Sequence, residues 1–251
     1  MTAGVGEPLR DAVAEGNRIA TVAAERGLPL RVLGGVAVAM QCPSARAAPL
    51  NRDYADVDLA TVGSARDSVV GLMSGLGYTP DREFNTLHGQ RRLFFWDPYN
   101  ERQVDVFVDE AHLCHTIDLR GRLEAVPLTL SLADLLVLKL QVVETNEKDF
   151  IDVCALLTDH DLSPDDSGVN STYIAALAAS DWGLWRTLGM VAERSADFAR
   201  GLAGFDHGER VAERLGRLRA ELDTVPKSRG WKLRSRVGEK KRWYTLPEDV
   251  Q

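Results

Sequence analysis

Asp56-Val57-Asp58 opens an apolar run about twenty residues after the pair Gly34-Gly35, and no other feature constrains the chain as much. Side chains alternate along a strand, so the two carboxylates share one face. At that spacing both stay ionised only beside a common cation. Upstream, Leu30 to Met40 reads as a strand, a glycine turn and a helix start, in which backbone N–H groups can face a phosphate. A phosphate cradle and paired metal carboxylates together point to nucleotide chemistry.

A third acid follows. The segments 91–96 and 103–108 flank Asp97-Pro98-Tyr99-Asn100-Glu101 and read as two strands joined by a turn. Asp105 interrupts an otherwise apolar set in the second strand. A lone buried carboxylate is too costly there, so it must lie beside the same cation or against a cationic side chain.

At these residues the chain resembles the DNA polymerase β-like nucleotidyltransferase superfamily. Its signature is a Gly-Gly or Gly-Ser pair opening a helix, Asp-x-Asp on the next strand and one Asp on a later strand, here Gly34, Gly35, Asp56, Asp58 and Asp105. The run from Leu132 to Leu140, then Asn146-Glu147-Lys148-Asp149-Phe150-Ile151-Asp152, is similar to helices of bacterial nucleotidyltransferases related to abortive-infection toxins. The resemblance spans roughly residues 28 to 160. It implies an α/β (α+β) fold, with a small mixed, mostly antiparallel sheet backed by helices. It also implies transfer of an NMP from an NTP to a hydroxyl of an RNA end, a protein or a small molecule, with release of pyrophosphate.

Residue by residue, the resemblance gives Asp56, Asp58 and Asp105 as ligands of two Mg²⁺ ions, for which Mn²⁺ can substitute. Those three and Asp149 become the catalytic set, and Gly34, Gly35, Arg52, Lys139 and Lys148 the nucleotide-binding set. An antitoxin-type partner is implied as well. The interval from Gly35 to Asp56 exceeds the usual one, so Cys42 to Leu50, with Pro43 and Pro49, reads as an inserted loop. Tyr54 and Asn146 replace the Thr and Arg frequent in relatives. A catalytically inactive nucleotide-binding or interaction protein on the same scaffold is the alternative.

Lysine usage adds independent evidence. The chain has 24 arginines and six lysines, and before the C-terminal tail its lysines are Lys139 and Lys148, both in the motif helices. A compact ammonium binds phosphate as a point charge that Arg does not reproduce. Asp149 and Asp152 are open to a catalytic role or to pairing with Arg or a helix terminus. His112, Cys114 and His115 lack the spacing of a recognised zinc site and are assigned to loop or packing roles.

Organisation along the chain predicts three parts. Residues 1-160 form the catalytic domain, 161-226 a helical C-terminal domain and 227-251 a basic aromatic tail. Helices are expected over 8–26, 64–76, 171–179, 181–202 and 207–222, and a linker over 162–168. The net charge of −7 is uneven, because Lys227 to Arg242 holds eight basic residues and one acid. Trp231 to Val237, Gly238-Glu239 and Lys240 to Leu246 read as a terminal basic β-hairpin, docked on the acidic body or binding RNA or a triphosphate. No apolar stretch spans a membrane, Met1 to Gly16 lacks a signal-peptide pattern, and three scattered cysteines argue against a disulfide framework. A cytoplasmic location is expected.

Overall fold

A computed structural model describes residues 6–246. The chain divides into two compact units. The first comprises residues up to Gln41, then 53–111 and 117–130; the second comprises 42–52, 112–116 and the chain from Ser131 onward.

The first unit is a sheet backed by helices. In chain order it contains α1 (Ala12–Glu25), β1 (Leu30–Leu33), α2 (Gly34–Gln41), β2 (Asp56–Thr61), α3 (Arg66–Gly75), β3 (Thr79–Pro80), α4 (Arg82–His88), β4 (Arg92–Asp97) and β5 (Arg102–Val108). Two short paired strands follow in the chain, β6 (Glu110–His112) and β7 (Thr116–Asp118), whose residues 112–116 belong to the second unit. The five-stranded sheet has the order β1-β2-β5-β4-β3. β2 and β5 run parallel, and every other neighbouring pair is antiparallel. The mixed, mostly antiparallel sheet expected from the sequence is therefore present.

One face of this sheet is apolar. Val57, Leu59, Val104, Val106, Leu93 and Phe95 are buried on it, alternating with the residues that carry the acids. α1 packs on β1 and β2, and α3 on β3. α1 starts where Asp11 caps the Ala14 N–H and stops before Gly27, which takes φ 66°. It is pinned by polar contacts: buried Glu15 accepts from the Tyr78 hydroxyl and from the Arg18 guanidinium. The turn between β4 and β5 is organised by Asp97, which accepts from the N–H groups of Tyr99 and Asn100 and pairs with buried Arg102 at 2.8 Å. α3 departs from expectation at its start. A 3-10 turn at Gly63–Ala65 precedes it, and its N-cap is Ala65, without a side-chain cap.

The second unit is helical. It holds α5 (Leu132–Leu140), α6 (Glu147–Asp159), the paired strands β8 (Leu162–Ser163) and β9 (Val169–Asn170), α7 (Ser171–Ser180), α8 (Trp182–Gly201), α9 (Gly208–Thr224) and α10 (Arg229–Val237). Ser131, Asn146, Asn170 and Asp181 cap the first four of these helices in order. α8 packs along α9, and Leu188, Val191, Ala192, Leu215 and Leu218 of the two helices are buried. The loop 42–50 holds a 3-10 turn, Pro43–Arg46, packed on α6, where the Ser44 N–H donates to Asp159. The three cysteines are free and buried. No helix among the described residues is long and apolar enough to cross a membrane.

The expected tail hairpin is not formed. Residues 229–237 are helical, with Ser228 accepting from the Trp231 N–H at the N-cap and Gly238, φ 57°, at the C-cap. The alternation seen in Trp231 to Val237 fits a helix equally well over so few residues, and Ser-x-x-Trp supplies a start signal that a strand would not use. Residues 247–251 of the expected tail lie outside the described residues.

Candidate functional site

The register of the sheet assembles the first group of residues. Asp58 on β2 stands directly opposite Asp105 on β5, and Asp56 opposite Gln103. Parallel neighbours in register share a face, so Asp56, Asp58, Gln103 and Asp105 lie together on the face opposite the apolar one. β4 adds Arg92, Phe94 and Trp96 to it, since Phe94 pairs with Asp105 and Trp96 with Gln103. Trp96 is 41% exposed there.

Gly34 borders this face. Leu33 pairs with Asp58 across β1 and β2, and the chain then turns through Gly34 at φ 69° into α2. A Cβ at residue 34 would lie 2.4 Å from Asp58 Oδ2. Glycine is required twice here, by the left-handed backbone and by the approach of the carboxylate. Gly35 follows in the first turn of α2.

Asp105 is 3% exposed. The two partners open to it in the sequence were a shared cation and a cationic side chain, and the structure supplies the second. Arg92 Nε donates to Asp105 Oδ1 at 2.6 Å, and Gln103 Nε2 to Oδ2 at 2.7 Å. The Arg92 guanidinium also lies 5.3 Å from the Phe107 ring centroid. Sequence reasoning did not single out Arg92 or Gln103. The signal was the turn at 97–101, which fixes the register and brings every second residue of β4 to the acid face. As arranged, no three His, Cys, Asp or Glu side chains among the described residues are gathered closely enough to hold a metal ion, His112, Cys114 and His115 included.

Of the remaining candidates, Arg52, Lys139 and Asp149 form a second group, around Asp152 within the second unit. Lys139, near the end of α5, is 15% exposed in its side chain and bonds Asp149 Oδ1 and Asp152 Oδ2, each at 2.8 Å. Burial favours the neutral amine, but Asp152 and Asp149 outweigh it and hold the ammonium above the ordinary lysine range. Arg52 grips the Asp152 carboxylate through Nε at 3.0 Å and through Nη2 at 2.9 and 2.8 Å. Asp149 also closes a capping box with Asn146 at the start of α6. Both pairing alternatives for these acids, a cation for Asp152 and a helix terminus for Asp149, are therefore realised. Lys148 points to solvent from the first turn of α6. His115 is buried, and its Nε2 is 2.8 Å from Thr187 Oγ1.

No family model matches the sequence, and no curated protein matches it. Among solved structures, the antibiotic-resistance factor ANT(2'')-Ia is similar over 89% of this chain and 94% of its own, at 14% identity and a TM-score of 0.34. A protein of H. pylori described as a nucleotidyltransferase is similar over 88% of this chain and 100% of its own, at 10% identity and a TM-score of 0.39. Likenesses this distant carry no weight in assigning the site.

Proposed function

We propose that the chain is a metal-dependent nucleotidyltransferase that moves an NMP from an NTP to a hydroxyl acceptor. The observation carrying this reading is the in-register pair Asp58 and Asp105, with Asp56 on the same face and Gly34 turned against the Asp58 carboxylate. Three carboxylates on neighbouring strands are hard oxygen donors suited to Mg²⁺ or Mn²⁺. Asp105 would first have to release Arg92. A bound divalent ion would offset charge on the phosphoryl oxygens. Backbone N–H groups of the Gly34-Gly35 turn would meet the phosphates. The acceptor oxygen attacks the α-phosphorus, the bond from that phosphorus to the β-phosphate breaks, and pyrophosphate leaves. Asp105 takes the proton of the acceptor hydroxyl.

Arg52, Lys139 and Lys148 keep their expected nucleotide role as part of this proposal, although the first two are committed to Asp152 and Asp149 as the structure stands. An RNA, protein or small-molecule acceptor, a toxin-like role and an antitoxin-type partner rest on the sequence resemblance alone. The saturated Asp105 favours a second reading, a catalytically inactive nucleotide-binding protein.

Incubation with each α-labelled NTP, Mg²⁺ and cell extract, followed by separation of RNA, protein and small molecules, decides between them. Label is expected in one product class, and Asp58→Asn should abolish it, because the substitution removes the charge of a proposed metal ligand at almost unchanged side-chain volume. Mg²⁺–NTP binding without any transfer would leave the inactive reading. Transfer undiminished in Asp58→Asn would refute the carboxylate assignment.

A further inference from the structure

α10 has two unlike sides. On its inner side the Trp231 ring meets Trp185 edge-on with centroids 5.2 Å apart, and the Arg234 guanidinium lies 4.6 Å from the Trp182 ring centroid. Arg234 also donates to the carbonyls of Gly238 and Lys241, each at 2.7 Å. After the helix, Trp243 Nε1 donates to Thr187 at 3.1 Å and the Thr245 N–H to the Cys114 carbonyl at 3.1 Å. Trp231 and Trp243 are thus spent on anchoring the tail, while Tyr244 packs on Trp243 and Arg242. The tail's one acid in this stretch, Glu239, is taken by Arg186 at 2.6 Å.

The outer side has no such partners. At 3.6 residues per turn, Arg229, Lys232, Leu233, Arg236 and Val237 fall within an arc of about 140°. Leu233 is 62% and Val237 42% exposed. Lys240 and Lys241 follow at the C-terminal end and are exposed. Among the described residues, the side chains of Arg229, Lys232, Arg236, Lys240 and Lys241 make no ion pair. Pairing with acids of the same chain, one of the two uses expected of the tail's charges, is thus not made by these five side chains among the described residues.

From this geometry we infer that the outer face of α10, continued by Lys240 and Lys241, is a docking surface for the phosphodiester backbone of a nucleic acid. Cations spaced about 5 Å along a helix match a polyanion rather than a single phosphate group. A lipid surface fits less well, since binding there draws on aromatic side chains at the interface, and Trp231 and Trp243 are turned inward. With no aromatic ring facing outward from the helix, binding should depend on charge and not on base sequence. This inference does not rest on the carboxylate site.

The test is fluorescence anisotropy of the full chain with labelled oligo(U) RNA, oligo(dT) and a mixed-sequence DNA duplex, titrated across salt. Arms with phosphatidylserine vesicles and polyglutamate run beside it. Wild type should bind nucleic acid with an affinity that falls as salt rises. The combined variant Arg229→Ser, Lys232→Ser, Arg236→Ser and Lys240→Ser should bind about tenfold or more weakly at low salt, with the logarithmic salt slope reduced by about 0.7 per lost single-strand contact. Its melting temperature should stay close to wild type, since these side chains are exposed and make no ion pair among the described residues. Lys240→Ser with Lys241→Ser, outside the helix, should give an intermediate loss and guards against a folding defect in α10. The order of affinities among the three nucleic acids identifies the natural source. Absence of nucleic-acid binding, equal binding by the variants, or preference for vesicles or polyglutamate would overturn the inference and leave a solvated face only.

Discussion

Arg92 and Asp105 show how a single residue can hold two readings of a site in balance. Asp105 needs a positive partner because it is almost wholly buried, and Arg92 is that partner at 2.6 Å. Arg92→Ala should lower stability by about 2 kcal/mol in the absence of metal, since a charged acceptor loses its strongest bond. Mg²⁺ should then raise the melting temperature of the variant more than that of wild type, because Asp105 is released for the ion. Thermal melts with and without Mg²⁺ check this, and equal shifts in both proteins would argue against competition at Asp105. The need for a cation was legible in the sequence from one carboxylate in an apolar strand. Which cation it is depends on the register of β4 against β5, a non-local property that alternation alone does not supply.

Between elements, α5 and α6 are joined by charge as well as by apolar packing. Lys139 from α5 lies between Asp149 and Asp152 of α6, and Arg52 completes the cluster. Removing one member of such a group leaves the others buried without compensation. Lys139→Met should therefore cost about 3 kcal/mol, and adding Asp149→Asn and Asp152→Asn to it should recover part of that loss. Urea denaturation of the single and triple variants measures the coupling; no recovery would mean that the lysine acts elsewhere. The start of α5 was readable from Ser131, whereas α6 came from the resemblance and the Asn146 capping box emerges only in the structure. The tail helix was not readable, because seven residues from Trp231 to Val237 satisfy a period of 2 and a period of 3.6 alike. Ser228 and Gly238, its two ends, held the information that decides between them.

At the scale of the whole molecule, pH and chain continuity set the limits. Burial holds the His115 imidazole below its ordinary value, with Asp181 opposing in part. The unfolded chain takes up a proton near the ordinary histidine value of about 6.5 while the folded chain does not. Stability is therefore full above that value and falls as the pH drops toward the lower folded value. Urea midpoints at about pH 7 and pH 5.5 should differ more in wild type than in His115→Gln, and an identical difference would assign the acid sensitivity to other groups. At the alkaline end the sign reverses. The raised Lys139 ammonium contributes fully below the ordinary lysine value of about 10.4, and that contribution fades as the pH climbs through its higher folded value. The helical unit also borrows Arg52 from 100 positions before its partner Asp152, in a loop that leaves the sheet-bearing unit and then returns to it. No single cut in the gene can therefore yield either unit whole. A fragment beginning at Ser131 would carry Asp152 without Arg52 and would lack the loop that covers α6, so dissection by truncation would report on missing pieces of the fold before it reported on function.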